Sequence, residues 1–150
     1  MTNKFKRIFY RTAYVCRRIK LTLIVFIASL SIYVSPIKIQ DDFLYDRTKL
    51  LNGELWRLIT GHFVHCDLSH LVWNLIALIL IGSSLEYRKS TYTFFKVIII
   101  GGTFLSSCLL ALKPDLQLYC GLSGILNIIL TYLIFNQYVS NPHIHYIYIL

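Results

Sequence analysis

The last 35 residues of this 150-residue chain contain no Lys, Arg, Asp or Glu; the final charge is Asp115. Acid is scarce throughout, with 7 Asp and Glu against 15 Lys and Arg. The chain is also 56% hydrophobic, with a mean hydropathy of +0.60. A soluble domain of this size could not bury so much apolar surface, whereas a bilayer asks for spans of roughly 17–25 apolar residues. These deficits point to an integral membrane protein. Other absences narrow the reading further. There are no internal repeats, no low-complexity tracts, no CxxC pair and no H-E-x-x-H motif. No small-x-small cleavage site follows the first apolar run, and further spans come after it, which argues against a cleavable signal peptide.

The net charge of +8 is carried mostly by one end. Lys4, Lys6, Arg7, Arg11, Arg17, Arg18 and Lys20 precede the first apolar run with no acid among them. That is the positive-inside pattern, with the N-terminus in the cytoplasm of a cell (inner) membrane protein. It argues against a nucleic-acid partner. Cys16, Cys66, Cys108 and Cys120 are scattered. The spacing predicts no disulfide framework, and small buried thiols are the expectation.

The hydropathy pattern predicts an all-α membrane protein, a helical bundle with about four complete transmembrane helices and a partial fifth. Residues 1–20 form a basic cytoplasmic segment and residues 21–150 the transmembrane domain. The spans are placed at residues 21–35, 68–85, 94–112 and 116–139. Pro36 ends or kinks the first. A mixed outer loop, residues 40–59, follows it. Arg88 and Lys89 mark the cytoplasmic end of the second span. Gly101, Gly102 and Ser106 in the third allow close helix approach. After Asn141-Pro142 only eight residues, HIHYIYIL, remain, too few to cross a bilayer as a helix.

Two polar clusters stand where polar groups are costly and tend to be functional. Residues 61–74 read GHFVHCDLSHLVWN. His62, His65, Asp67 and His70 resemble a loose zinc pattern, so a His-rich metal-binding membrane protein is one reading. His70 and Asn74, four apart, share a helix face. The second cluster, residues 119–124, reads YCGLSG. By alternation both lie near the outer face. Ser123 between Gly121 and Gly124 suits helix packing. It also suits a nucleophile at a helix start, where unbonded backbone N–H groups can hold an oxyanion. It is not the G-x-S-x-G elbow of soluble hydrolases, because Ile125 takes the last position.

Taken together, Trp56-Arg57, His65, His70-x3-Asn74, Gly82-x3-Glu86 and Gly121-Leu122-Ser123-Gly124 resemble the motifs of the rhomboid intramembrane serine proteases. The likeness covers residues 21–139. The string GELWRLITGHFVHCDLSHLVWNL is most similar to the rhombosortase branch, associated with processing glycine-rich C-terminal anchors on exported proteins. The resemblance implies a serine endopeptidase acting on a transmembrane or tail segment of a membrane protein within the lipid bilayer, with no cofactor and no metal. Ser123 is then the nucleophile. His70 and Asn74 stabilise the oxyanion with the Ser123 backbone N–H. His65, Gly121 and Gly124 support the site, and Arg57 and Glu86 hold the loop and the helix end.

The family's base is a histidine on a later span, in a His-x-x-Gly context. No such residue is found here. A helix over residues 124–139 rises about 22 Å along its axis, at about 1.5 Å per residue, which places His143 and His145 at the opposite membrane face, far beyond hydrogen-bond reach of Ser123. Lys113 sits in an outer turn as a solvated anchor. Asn127 replaces the histidine or aromatic residue common at that position in the family, and one turn below Ser123 it suits a hydrogen bond within the bundle. These departures suggest a C-terminally truncated or inactive relative. They support a second reading, a non-catalytic rhomboid-like protein that binds transmembrane helices.

Overall fold

The computed structural model describes residues 18–140. The basic residues up to Arg17, the Cys16 thiol and the tail with His143 and His145 lie outside them. Helix α1, Lys20–Tyr33, is followed at Pro36 by a short α2, Ile37–Phe43. Strand β1 is Tyr45–Asp46, and two further short helices follow, α3, Arg47–Leu51, and α4, Arg57–Thr60. Then come α5, Leu68–Arg88, of 21 residues, and α6, Thr91–Leu112, of 22 residues. Both are long and apolar enough to cross a membrane. Each relaxes into one wider turn, at Leu78–Gly82 in α5 and Val97–Gly101 in α6. Strand β2, Leu118–Tyr119, leads into α7, Ser123–Ser140.

Local chemistry sets these boundaries. Asp67 caps α5, accepting from the His70 N–H at 2.8 Å. Ser90 caps α6, accepting from the Thr93 N–H at 3.0 Å. Such side-chain oxygens satisfy donors that a helix start leaves open. The helix α1 has no side-chain cap of its own. Its start is instead held by Glu86 of α5, whose carboxylate accepts from the N–H of Leu21 and of Thr22, both at 2.9 Å. The hydroxyls of Thr22 and Thr91 add bonds at 2.8 and 2.7 Å. An anion at a helix N-terminus also meets the positive end of the helix dipole. The Glu86→Ala variant should therefore lower stability by about 3 kcal/mol, since charged hydrogen bonds are each worth about 1.5–3 kcal/mol. Unfolding in mixed micelles measures this, and an unchanged midpoint would contradict it.

The core gathers one stripe from each long helix. In α7, Ile125, Leu126 and Ile129 follow Leu122 at helical spacing, and all four are buried. They pack with Leu71, Leu75, Leu78 and Leu85 of α5, Phe94 and Ile98 of α6, and Val25 of α1. The outward faces carry exposed Trp73, Leu80, Ile100, Phe104, Ile134 and Phe135. So continuous an apolar exterior fits contact with lipid.

Two expectations about the elements change. The last helix starts at Ser123, not at residue 116. Leu118 and Tyr119 instead pair antiparallel with Asp46 and Tyr45. Gly121, at φ +103°, stops any helix running through it. The all-α bundle thus carries one small strand pairing. The small residues of α6 also do a different job: the Gly102 carbonyl and the Ser106 hydroxyl meet the His62 ring. Gly101 does face a neighbouring helix, packing on Ile128 of α7.

Candidate active site

The outer loop is stitched from below by Arg57. Its guanidinium is buried and donates to the carbonyls of Asp41 and Leu44, both at 2.6 Å. It also pairs with Glu54 at 2.6 Å. The Thr60 hydroxyl donates to the Phe43 carbonyl at 2.7 Å. Gly61 follows in a place where only glycine fits, since a Cβ would lie 2.8 Å from the Tyr45 backbone nitrogen. The Gly61 carbonyl in turn accepts from the Gly121 N–H at 3.3 Å. The GHFVHC segment and the YCGLSG segment are therefore bonded backbone to backbone.

His70 and Asn74 share one face of α5. Asn74 is buried and its Nδ2 donates to the His70 carbonyl at 2.9 Å. The His70 ring lies directly over Gly121: a Cβ at that glycine would be 2.6 Å from His70 Nε2. The positive φ of Gly121 and the missing side chain both serve this approach. Ser123 comes two residues later, exposed at the first position of α7. At a helix start its N–H has no intrahelical partner. Its carbonyl accepts from Asn127 Nδ2 at 3.0 Å. Gly124 must also stay small, because a Cβ there would lie 2.7 Å from the Tyr119 hydroxyl. The site thus combines an exposed hydroxyl, an imidazole, a carboxamide and a helix N-terminus.

The cysteines correct an expectation. Cys66 and Cys120 form a disulfide, and only Cys108 is free among the described residues. The bond joins the residue before Asp67 to the residue before Gly121. A separation of 54 residues and the lack of any Cys motif hid it. Both cysteines lie at the rim expected to face outward, where an oxidising compartment allows such a bond.

The zinc pattern does not assemble. Among the described residues no three His, Cys, Asp or Glu side chains converge to hold a metal ion. His62 is buried, with Nε2 3.1 Å from the Gly102 carbonyl and 3.0 Å from Ser106 Oγ. Asp67 is occupied as a helix cap. His65 is buried, and its ring meets His70 edge-on at 5.2 Å. Lys113 is exposed in its turn.

Burial, reinforced by the nearby His70, pushes the His65 imidazole down from 6.5 to about 4. The folded state therefore prefers neutral His65, while the unfolded chain takes up a proton near pH 6.5. Stability from this group is complete above about pH 6.5, falls as the pH drops, and levels off below about pH 4. The loss amounts to about 3 kcal/mol at the acid end. Unfolding midpoints between pH 4 and 7 should show this slope, and His65→Gln should reduce it, leaving the part that buried His62 contributes in the same direction. A profile with no slope in the wild type would contradict it.

Sequence reasoning placed Tyr119 in the second cluster without a role, gave Ser106 only helix packing, and missed the disulfide. All three act through contacts across the fold. The Rhomboid domain family model matches residues 52–150, about two thirds of the chain, and spans every site residue described above. The chain belongs to the rhomboid family. Rhomboids are intramembrane serine proteases that act on membrane proteins within the bilayer, and the family together with the two long apolar helices marks this chain as a membrane protein. A search among curated proteins returns no match.

Proposed function

We propose that this rhomboid protein is a serine endopeptidase with Ser123 as nucleophile and His70 and Asn74 as oxyanion donors. The observation that carries this reading is the contact of the His70 ring with Gly121, two residues ahead of Ser123. Ser123 Oγ attacks the scissile carbonyl carbon and gives up its proton to a base. The carbonyl oxygen becomes an oxyanion, received by His70, Asn74 and the Ser123 N–H. Each such donor contributes on the order of 3 kcal/mol to the transition state. Collapse expels the amine, and water then hydrolyses the acyl-enzyme. Gly121 and Gly124 keep the approach open, and His65 backs the His70 ring. The base that the resemblance implies, a histidine of a later span, is not among residues 18–140.

The rhombosortase-like string at residues 53–75 favours a transmembrane or C-terminal anchor segment as the substrate. In this reading residues 1–20 are a cytoplasmic arm, and residues 21–150 are a transmembrane domain with four spans in the inner membrane. A second reading is a non-catalytic rhomboid-like protein that binds transmembrane helices. The deciding experiment reconstitutes the protein in liposomes with a substrate ending in a glycine-rich membrane anchor. Cleavage at or beside the anchor supports the protease reading. Folded wild type that binds the anchor without cutting it overturns that reading in favour of the alternative.

A further inference from the structure

The Cys66–Cys120 bond sits where the two halves of the site meet. Cys66 directly precedes Asp67, whose carboxylate caps α5 by accepting from the His70 N–H at 2.8 Å. Cys120 directly precedes Gly121, the residue under the His70 ring. Ser123 follows two residues later. The bond thus ties the root of the helix that carries His70 to the floor that His70 covers. That ring is held by contact, edge-on against His65 at 5.2 Å and over Gly121. The backbone bonds that hold the Gly121 segment to the outer loop are the 3.3 Å bond to Gly61 and the two-residue strand pairing. The core between the long helices, built on Val25, Leu75, Ile98 and Ile129 among others, includes neither cysteine. Cys66 is exposed and Cys120 half-buried, so the bond is open to a small dithiol. Exposed disulfides are the labile ones, whereas structural bonds resist reduction.

We propose that Cys66 and Cys120 are positioning residues for His70, and that their bond is a redox switch on the reactivity of Ser123. The inference rests on Ser123 being the nucleophile and His70 its oxyanion donor. In the oxidised protein the bond fixes the first turn of α5 relative to Gly121, which keeps the His70 ring in place. A dithiol reductant opens it. The reductant gives two electrons and two protons, the S–S bond becomes two thiols, and the reductant closes into its own disulfide. The Gly121 segment then hangs on one long hydrogen bond and the short strand pairing. Misplacing a catalytic group by about 1 Å costs about 100-fold in rate. The long helices stay packed through their core, so the loss is local and reoxidation reverses it. The site is thereby active in an oxidising compartment and silenced where dithiols prevail.

The test equilibrates the full-length protein in micelles with mixtures of reduced and oxidised dithiothreitol, well below the unfolding midpoint of the reduced form. Each sample is treated with an alkyl fluorophosphonate, which bonds phosphorus to Ser123 Oγ as fluoride leaves and the proton passes to solvent. Alkylation mapped to Cys66 and Cys120 reports the fraction reduced, and far-UV circular dichroism reports the fold. The inference predicts a limiting labelling rate about 100-fold lower in the reduced protein, at unchanged helix content. The rate should follow the potential along a two-electron curve with the same midpoint as the alkylation, and reoxidation should restore it. The Cys66→Ser, Cys120→Ser double variant should label at the reduced rate at every potential. A rate that stays constant while both thiols appear, or that falls only as the helices unfold, would overturn the inference and leave Ser123 as nucleophile. Cysteines that resist alkylation at the most reducing potential would overturn it too. If oxidised wild type is not labelled at all, the nucleophile reading fails and the switch goes with it.

Discussion

Ser123→Ala should reduce cleavage of an anchor substrate by on the order of 10⁵-fold or more, which in practice means to background. Removing the attacking atom of a serine protease leaves only the contribution of oxyanion donors and binding. The exposed hydroxyl makes few contacts, so the variant should fold as the wild type does. That separates chemistry from stability. The helix α7 still packs through Ile125, Leu126 and Ile129, which the substitution does not touch. A variant that kept more than about a hundredth of wild-type cleavage would place the nucleophile elsewhere. His70→Ala provides the graded comparison, with a loss nearer 10²–10³-fold for one missing oxyanion donor.

Opening the Cys66–Cys120 bond should have the second largest effect. A cross-link closing a loop of 54 residues restricts the unfolded chain by about 4 kcal/mol in the loop-entropy account. Folded-state losses add to this. Few other bonds tie the YCGLSG segment to the outer loop. The Gly121–Gly61 hydrogen bond and the two-residue strand pairing are the backbone ones. Both Cys66→Ser and Cys120→Ser should lower the unfolding midpoint steeply and by similar amounts. The pair changed together should cost no more than either alone, because one bond is lost in all three proteins. Reductant should lower the wild-type midpoint and leave the variants unmoved. Wild type insensitive to reductant, with Cys66 and Cys120 both alkylated in its absence, would contradict the pairing.

Much of the candidate site's local geometry was legible in the chain because its parts are local. The His70 and Asn74 pair follows from helical spacing, and the Gly-x-Ser-Gly run announces itself. The start of α5 at residue 68 followed from the apolar pattern, and Asp67 explains it. The far end was read three residues short. Glu86 looks like a stop signal in sequence, but its carboxylate turns toward the start of α1, so the helix continues to Arg88. What was not legible depends on partners far away in the chain. His62 looked like a metal ligand until Gly102 and Ser106, 40 and 44 residues on, accounted for its ring nitrogen. Residues 116–122 looked helical because they are apolar. Strand pairing with residues 45–46 overrode that preference. Contacts of that kind leave no periodic trace in sequence.

The central claim is that Ser123 is a reactive hydroxyl served by His70 and Asn74, and one measurement addresses it most directly. Folded wild type is treated with a fluorophosphonate, digested, and mapped by mass spectrometry. The account predicts one adduct per chain, on Ser123, with the yield sharply reduced in His70→Ala. Folded protein that carries no adduct, or carries it on another serine such as Ser69 or Ser106, would contradict the claim.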